Sequence, residues 1–272
     1  MSEQAVFSIE GDVWTPQSAA GGFNGPGMHG GAVGAMLTGA CELHAKALDR
    51  QPDNPFLPLT ASVLLLRPVP RSAIEVRVET LRAGSRGLFL RAEAWADEKL
   101  QATAQAAFAR AQAIPGMPEP QFLPLPPESG KVGRLASPGT PWLGDIVEMR
   151  FTDDGLCWYR NDRPLFPGET PMALATCGAD WSSGTWRPGG WREPKAKWFP
   201  NIELGIRLAR PPKGPWIGFR NRQHWRQNGL GTTETELFDQ DGPFGAASQS
   251  LVLAPLDGPD DRPLGSSPEP TA

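Results

Sequence analysis

Cysteine and histidine are scarce, with three of each in 272 residues. Cys41, Cys157 and Cys177 are odd in number, lie far apart and form no C-x-x-C pair. That argues against a disulfide framework or a zinc site and fits a reducing cytoplasm. His29, His44 and His224 are not spaced as metal ligands, so no metal is expected. No apolar run approaches the ~18 residues that a membrane span needs. Met1-Ser2-Glu3-Gln4 has neither the basic flank nor the apolar stretch of a secretory signal. A Walker A motif and a G-x-S-x-G motif are both missing. Gly25, Gly27 and Gly30 fit G-x-G-x-x-G, but no convincing strand precedes them and no βαβ unit follows, so the match reads as chance. No cofactor is therefore implied. A formal net charge of −4 offers no basic footprint for nucleic acid.

What is present is enough apolar material for a core: 39% hydrophobic residues against 21% charged. Glycine (31) and proline (30) are abundant and unevenly placed. Prolines crowd Pro115 to Pro141, which suits neither a helix nor a central strand. The chain thus divides into residues 1–113, an extended linker over 114–141, residues 142–254, and a tail over 255–272 predicted to be disordered.

The first piece has one clear helix. After the glycine-rich lead-in of Gly21 to Gly31, residues Ala32 to Leu48 are small or apolar on nearly every face, the mark of a buried helix. Strands follow. Ile74, Val76 and Val78 alternate with Glu75, Arg77 and Glu79, and Leu88, Leu90, Ala92 and Ala94 repeat the period of two. Asp97-Glu98-Lys99 reads as a hairpin turn, with Gln101 to Arg110 returning. The second piece has the same order. Pro171 to Trp186 is a helix candidate, and Ile202, Leu204, Ile206 and Leu208 alternate with polar or small residues. Trp216 to Trp225 and Gly231 to Phe238 read as strands, Asp239-Gln240-Asp241-Gly242 as a turn, and Ala246 to Leu253 as the closing strand. A single constant offset lays Arg67-Pro68 on Arg210-Pro211 and Ala106 on Gln249. The expected fold is α+β, two copies of a sheet wrapped around a buried helix.

Four segments carry a resemblance. They are His29-Gly30-Gly31 at the start of the first helix, Leu65-Leu66-Arg67-Pro68 with Val78-Glu79-Thr80-Leu81-Arg82, Arg210-Pro211-Pro212-Lys213-Gly214-Pro215-Trp216, and Ser248-Gln249-Ser250-Leu251. In order and spacing the chain resembles the acyl-CoA thioesterase II-like family, whose fold is a double hotdog. In that family an aspartate on the second helix, a hydroxyl or amide residue on the next strand and a glutamine on the last strand hold an attacking water. The resemblance maps these roles onto Asp180, Asn201 and Gln249. The best-known members carry threonine at the position of Asn201; an amide can hold a water but cannot act as a hydroxyl nucleophile.

The resemblance implies a cytoplasmic thioester hydrolase of lipid metabolism, with an acyl-CoA as partner and neither nucleic acid nor a membrane span involved. Asp180 would accept a proton from water. Gly30 and Gly31 would offer helix N-terminal amides to the oxyanion. His29 and Trp181 would contact substrate. Each residue also has a structural reading. Asp180 alone fits a helix cap or a solvated face, Gln249 an edge position, Asn201 a turn after Pro200, and His29 packing at the helix start. Eight of the ten tryptophans lie after residue 140, with Trp181, Trp186, Trp191 and Trp198 near Asp180 in sequence, which suits an acyl pocket or a core equally. Two other functions compete. An enoyl-CoA hydratase would want an aspartate–histidine pair, and His224 has no aspartate at a matching position. A non-catalytic acyl-CoA or small-acid binding protein needs no such groups. Homo-oligomerisation is open, because a double hotdog already holds a pseudo-dimer in one chain and such units often pair further.

Overall fold

Small residues let α1 sit in the middle of the molecule. It runs over Gly30–Leu48 and is buried without a break from Gly31 to Glu42. The computed structural model describes residues 5–23, 26–118, 121–133, 135, 138–185, 196–198 and 200–255. Ahead of α1 come β1 (Phe7–Glu10) and β2 (Val13–Pro16); after it come β3 (Phe56–Leu65), β4 (Ile74–Ala83), β5 (Gly87–Ala96) and β6 (Lys99–Arg110). Then follow β7 (Lys131–Gly133), β8 (Val147–Phe151), β9 (Cys157–Asn161), α2 (Pro171–Asp180), α3 (Ser182–Thr185) and β10 (Ala196–Trp198). The chain continues through β11 (Asn201–Leu208), β12 (Ile217–Trp225), β13 (Leu230–Asp239), β14 (Gly242–Val252) and β15 (Ala254–Pro255).

Thirteen strands make one antiparallel sheet in the order β1-β2-β4-β5-β6-β3-β11-β14-β13-β12-β9-β8-β7. The turn read at Asp97 is the two-residue hairpin between β5 and β6, with φ of 48° at Asp97 and 58° at Glu98, the twist that paired strands favour. The sheet is an internal repeat in one register. At its centre Ser62 pairs with Gly205, its own counterpart under the offset that aligns the two Arg-Pro motifs. The same offset carries Leu90↔Ala106 onto Thr233↔Gln249 and Val78↔Ala92 onto Asn221↔Thr235.

Three features differ from the sequence reading. The helix expected over 171–186 ends at Asp180; Trp181 caps it and α3 follows as a separate turn. Trp186 and Trp191 lie outside the described residues. The proline-rich stretch is not featureless, since it holds a 3-10 turn at Pro127–Ser129 and strand β7, which pairs with β8 at the sheet's edge. β3 takes its place beside β6, although its inward positions, which include Pro58, Ala61 and Val63, alternate only weakly.

The two long helices run antiparallel, in contact through glycine. A Cβ on Gly34 would fall 2.9 Å from Thr176 Cγ2, and one on Gly39 would fall 3.4 Å from Ala173 Cβ and 2.5 Å from Cζ of Phe166, ahead of α2. Thr38 and Thr176 meet at 3.2 Å while bonding back to their own helices. The start of α1 therefore lies against the end of α2, and Glu42 lies against the start of α2. Pro171 has no N–H, so Met172 carries the first amide needing a partner, and it donates to Glu42 Oε2 at 2.9 Å.

Burial raises the Glu42 carboxyl above its ordinary value, more than the Met172 amide lowers it. A carboxyl with a raised folded-state value stabilises the fold below its unfolded value of 4.5 and loses that contribution as pH rises through the folded one. Glu42→Gln keeps the acceptor and removes the ionisation. It is expected to flatten the pH dependence of the melting temperature and to melt above wild type at neutral pH. Glu42→Ala strands the Met172 amide and is expected to cost about 1–3 kcal/mol in denaturant unfolding.

Candidate active site

His29 is the N-cap of α1, and its Nδ1 accepts the Gly31 N–H at 3.1 Å. Asp180, the last residue of α2, is only 6% exposed. Its carboxylate lies across the opening turn of α1, where the aligned peptide dipoles favour negative charge. That approach requires glycine. A Cβ on Gly30 would lie 3.1 Å from Asp180 Oδ1, and one on Gly31 would lie 3.1 Å from Oδ2. Asp180 Oδ2 is also 3.1 Å from His29 Nδ1.

Asn201 opens β11 rather than a turn, and its Nδ2 donates to Asp180 Oδ1. Gln249 sits on the interior strand β14, not at an edge, and is 1% exposed. Its Nε2 donates to Ala179 O at 2.5 Å, Ser182 Oγ at 3.0 Å and Asp180 O at 3.3 Å. Gln249 thus satisfies the carbonyls that α2 leaves open at its end. It reaches the backbone of Asp180, whereas Asn201 and His29 reach the carboxylate. The acceptors Asn201 Oδ1 and Gln249 Oε1 are buried and find no partner among the described residues. Trp181 stacks on the His29 ring with centroids 4.5 Å apart, and Trp142 packs edge-on against Trp181 at 5.6 Å.

The sequence reading missed the groups around Gln249. Asn221 donates to Ser182 O, Gln223 to Ser183 O at 2.6 Å, and Thr235 to Ser182 Oγ at 2.8 Å. Thr233 is fully buried opposite Gln249. A signal for them exists: they are polar residues at the same strand parity as buried Phe219 and Leu237. Other chemistry is poorly supplied. All three cysteines are buried and none is in a disulfide. Burial pushes the Cys41 thiol up to about 12 and raises Cys177 as well, so neither is a ready thiolate. His224 is exposed on β12, paired with Thr232. Among the described residues no three His, Cys, Asp or Glu side chains are placed to share a metal ion, and no helix is long and apolar enough to cross a membrane.

Known proteins match this arrangement. The family model of the acyl-CoA thioesterase N-terminal domain matches residues 19–109, and that of the C-terminal domain matches residues 106–253. No curated protein matches the chain. Among solved structures, a hot dog fold protein of unknown function from Alicyclobacillus acidocaldarius is 17% identical, covers 92% of this chain and 96% of its own, and superposes with a TM-score of 0.67. The acyl-CoA thioesterase II TesB2 from Mycobacterium marinum is 15% identical, covering 92% of this chain and 95% of its own, with a TM-score of 0.65. A tesB protein from Mycobacterium avium subs paratuberculosis is 17% identical, covering 92% and 96%, with a TM-score of 0.62. At these identities the likeness is one of fold. Two domain models matched in tandem, over a helix-and-sheet repeat with a carboxylate at a helix start, establish that the chain belongs to the acyl-CoA thioesterase family of thioester hydrolases.

Proposed function

We propose that this chain is a double hotdog enzyme that hydrolyses an acyl-CoA to the free acid and CoA, with the attacking water held by Asp180, Asn201 and Gln249. The observation that carries the reading is an asymmetry between equivalent positions. Under the offset of the repeat, Asn221, Thr233 and Gln249 in the second half correspond to Val78, Leu90 and Ala106 in the first. All three polar residues are buried, where each replaces an apolar side chain that the same fold accepts. Buried polar groups cost stability unless partnered, so a set confined to one copy points to chemistry there.

In this reading the thioester carbonyl oxygen lies at the start of α1, near the Gly30 and Gly31 amides. Such an amide is typically worth about 3 kcal/mol to a developing oxyanion. Asp180 takes a proton from the water, while the acceptors Asn201 Oδ1 and Gln249 Oε1 orient its hydrogens. Trp181 walls the site beside His29. At the start of α2 the equivalent carboxylate, Glu42, is taken up by the Met172 amide, so one site per chain is expected. The boundaries 1–113, 114–141, 142–254 and 255–272, and a cytoplasmic setting suited to reduced cysteines, belong to the same proposal.

The test is free-thiol release from short, medium, long and aromatic acyl-CoAs. Turnover of at least one class is expected. A folded protein that binds acyl-CoA without releasing thiol from any of them would establish the binding-only reading instead.

A further inference from the structure

His29 stands between two partners that it cannot serve in one protonation state. Its Nδ1 is 3.1 Å from the Gly31 amide nitrogen and 3.1 Å from Asp180 Oδ2. An unprotonated Nδ1 accepts from Gly31 and offers the carboxylate nothing. A protonated Nδ1 donates to Asp180 and lets the Gly31 N–H go. The ring is held for either duty. It stacks on Trp181, its own amide donates to Ala20 O at 2.9 Å, and its carbonyl accepts from Val33 N at 3.0 Å. Asp180, from α2, is the charged group that faces it; Trp142 lies at 6.3 Å, and the titratable Tyr159 lies beyond Trp181. Histidine is also a poor choice for a cap alone. Asn, Asp, Ser and Thr cap better, and an imidazolium there opposes the positive helix end.

We propose that His29 is the proton-holding partner of Asp180, and that its protonation releases the Gly31 N–H to the oxyanion. The inference rests on the hydrolytic reading above. As the water oxygen bonds to the thioester carbon, the carbonyl π pair moves onto oxygen, and the water proton passes to Asp180 and on to His29 Nδ1. On collapse the C=O bond re-forms and the C–S bond breaks, its electron pair leaving with sulfur. Nδ1 returns the proton through Asp180 to the thiolate. No further reactant is consumed. Because His29 acts through Asp180 and Gly31, it is a positioning residue.

The test compares wild type, His29→Asn and Asp180→Asn. Asparagine caps a helix well, so His29→Asn keeps the Gly31 acceptor and loses only the proton-holding nitrogen. Its kcat is expected to fall about 10²-fold, with KM within about threefold and an unchanged melt. In ¹⁵N-histidine spectra of the unliganded protein, the Nδ1 signal assigned to His29 by its loss in His29→Asn is expected to move in Asp180→Asn. Wild-type kcat in His29→Asn, or an Nδ1 signal indifferent to Asp180→Asn, overturns the proposal. Absence of turnover by the wild type would overturn the hydrolytic reading and the relay together. Failure of the relay alone is told apart by normal wild-type turnover.

Discussion

Asp180→Asn is expected to release thiol from acyl-CoA at about a thousandth of the wild-type rate or less, while remaining folded. A positioned base supplies roughly 10²–10⁴-fold, and the substitution removes the only proton acceptor that the proposed mechanism offers the water. The shape is conserved. Asparagine is isosteric, its Oδ1 can still accept from Asn201 Nδ2, and the glycine floor formed by Gly30 and Gly31 needs no adjustment. The loss should therefore fall on kcat, with KM within about threefold, because the carboxylate is proposed to act on the water and not on the acyl group. Steady-state kinetics beside a thermal melt checks both halves of the expectation. A variant that turns over at the wild-type rate removes Asp180 from the mechanism.

Arg210→Met is expected to cost about 3–5 kcal/mol of stability, a fall in melting temperature of about 10 °C for a chain of this size. The reason is what it leaves behind. Asp239 is fully buried at the end of β13, and Arg210 grips it with both terminal nitrogens, Nη2 at 2.6 Å from Oδ1. The backbone amides of Lys213 and Asp241 also donate to that carboxylate, at 2.8 and 2.9 Å. Removing only the guanidinium strands a buried charge, which is the costly way to break such a pair. Asp239→Asn is expected to cost less, since the amide oxygen still accepts one backbone donor and the Arg210 charge left behind is 30% exposed to water. Denaturant unfolding of both variants checks the order. The first half shows why this is not a general property of the Arg-Pro motif. The counterpart of Asp239 is Ala96, and the exposed Arg67 side chain donates instead to the Leu100 carbonyl, at 3.3 Å.

Much of the frame was legible along the chain because its signals are periodic and local. Alternation at Ile74–Val78 and Leu88–Ala94 placed β4 and β5, and the residues at Asp97 and Asp239–Gly242 placed their hairpins. The offset between the Arg-Pro motifs proved to be the register of the sheet, since pairing of a strand with its own counterpart at Ser62 and Gly205 preserves any repeat in the sequence. Short strands such as β1, β2 and β7 escaped because three or four residues carry too little alternation to stand out.

The residues of the site divide in the same way. Asp180, Asn201 and Gln249, proposed to hold the water, were nameable from motif order, and their residue types from chemistry. Their neighbours were not. His29 and Asp180 belong to opposite halves of the chain, and they meet because glycine contacts set the antiparallel crossing of α1 and α2. Glu42 closes the start of α2 for the same reason. The order of the two helices and the longer strands, the duplication and the chemical groups on hand are all written as local pattern along the chain. Which groups share a carboxylate, which helix-start amide a carboxylate takes up and which half holds the buried polar set were settled by folding, because those outcomes depend on distances between segments far apart in the chain.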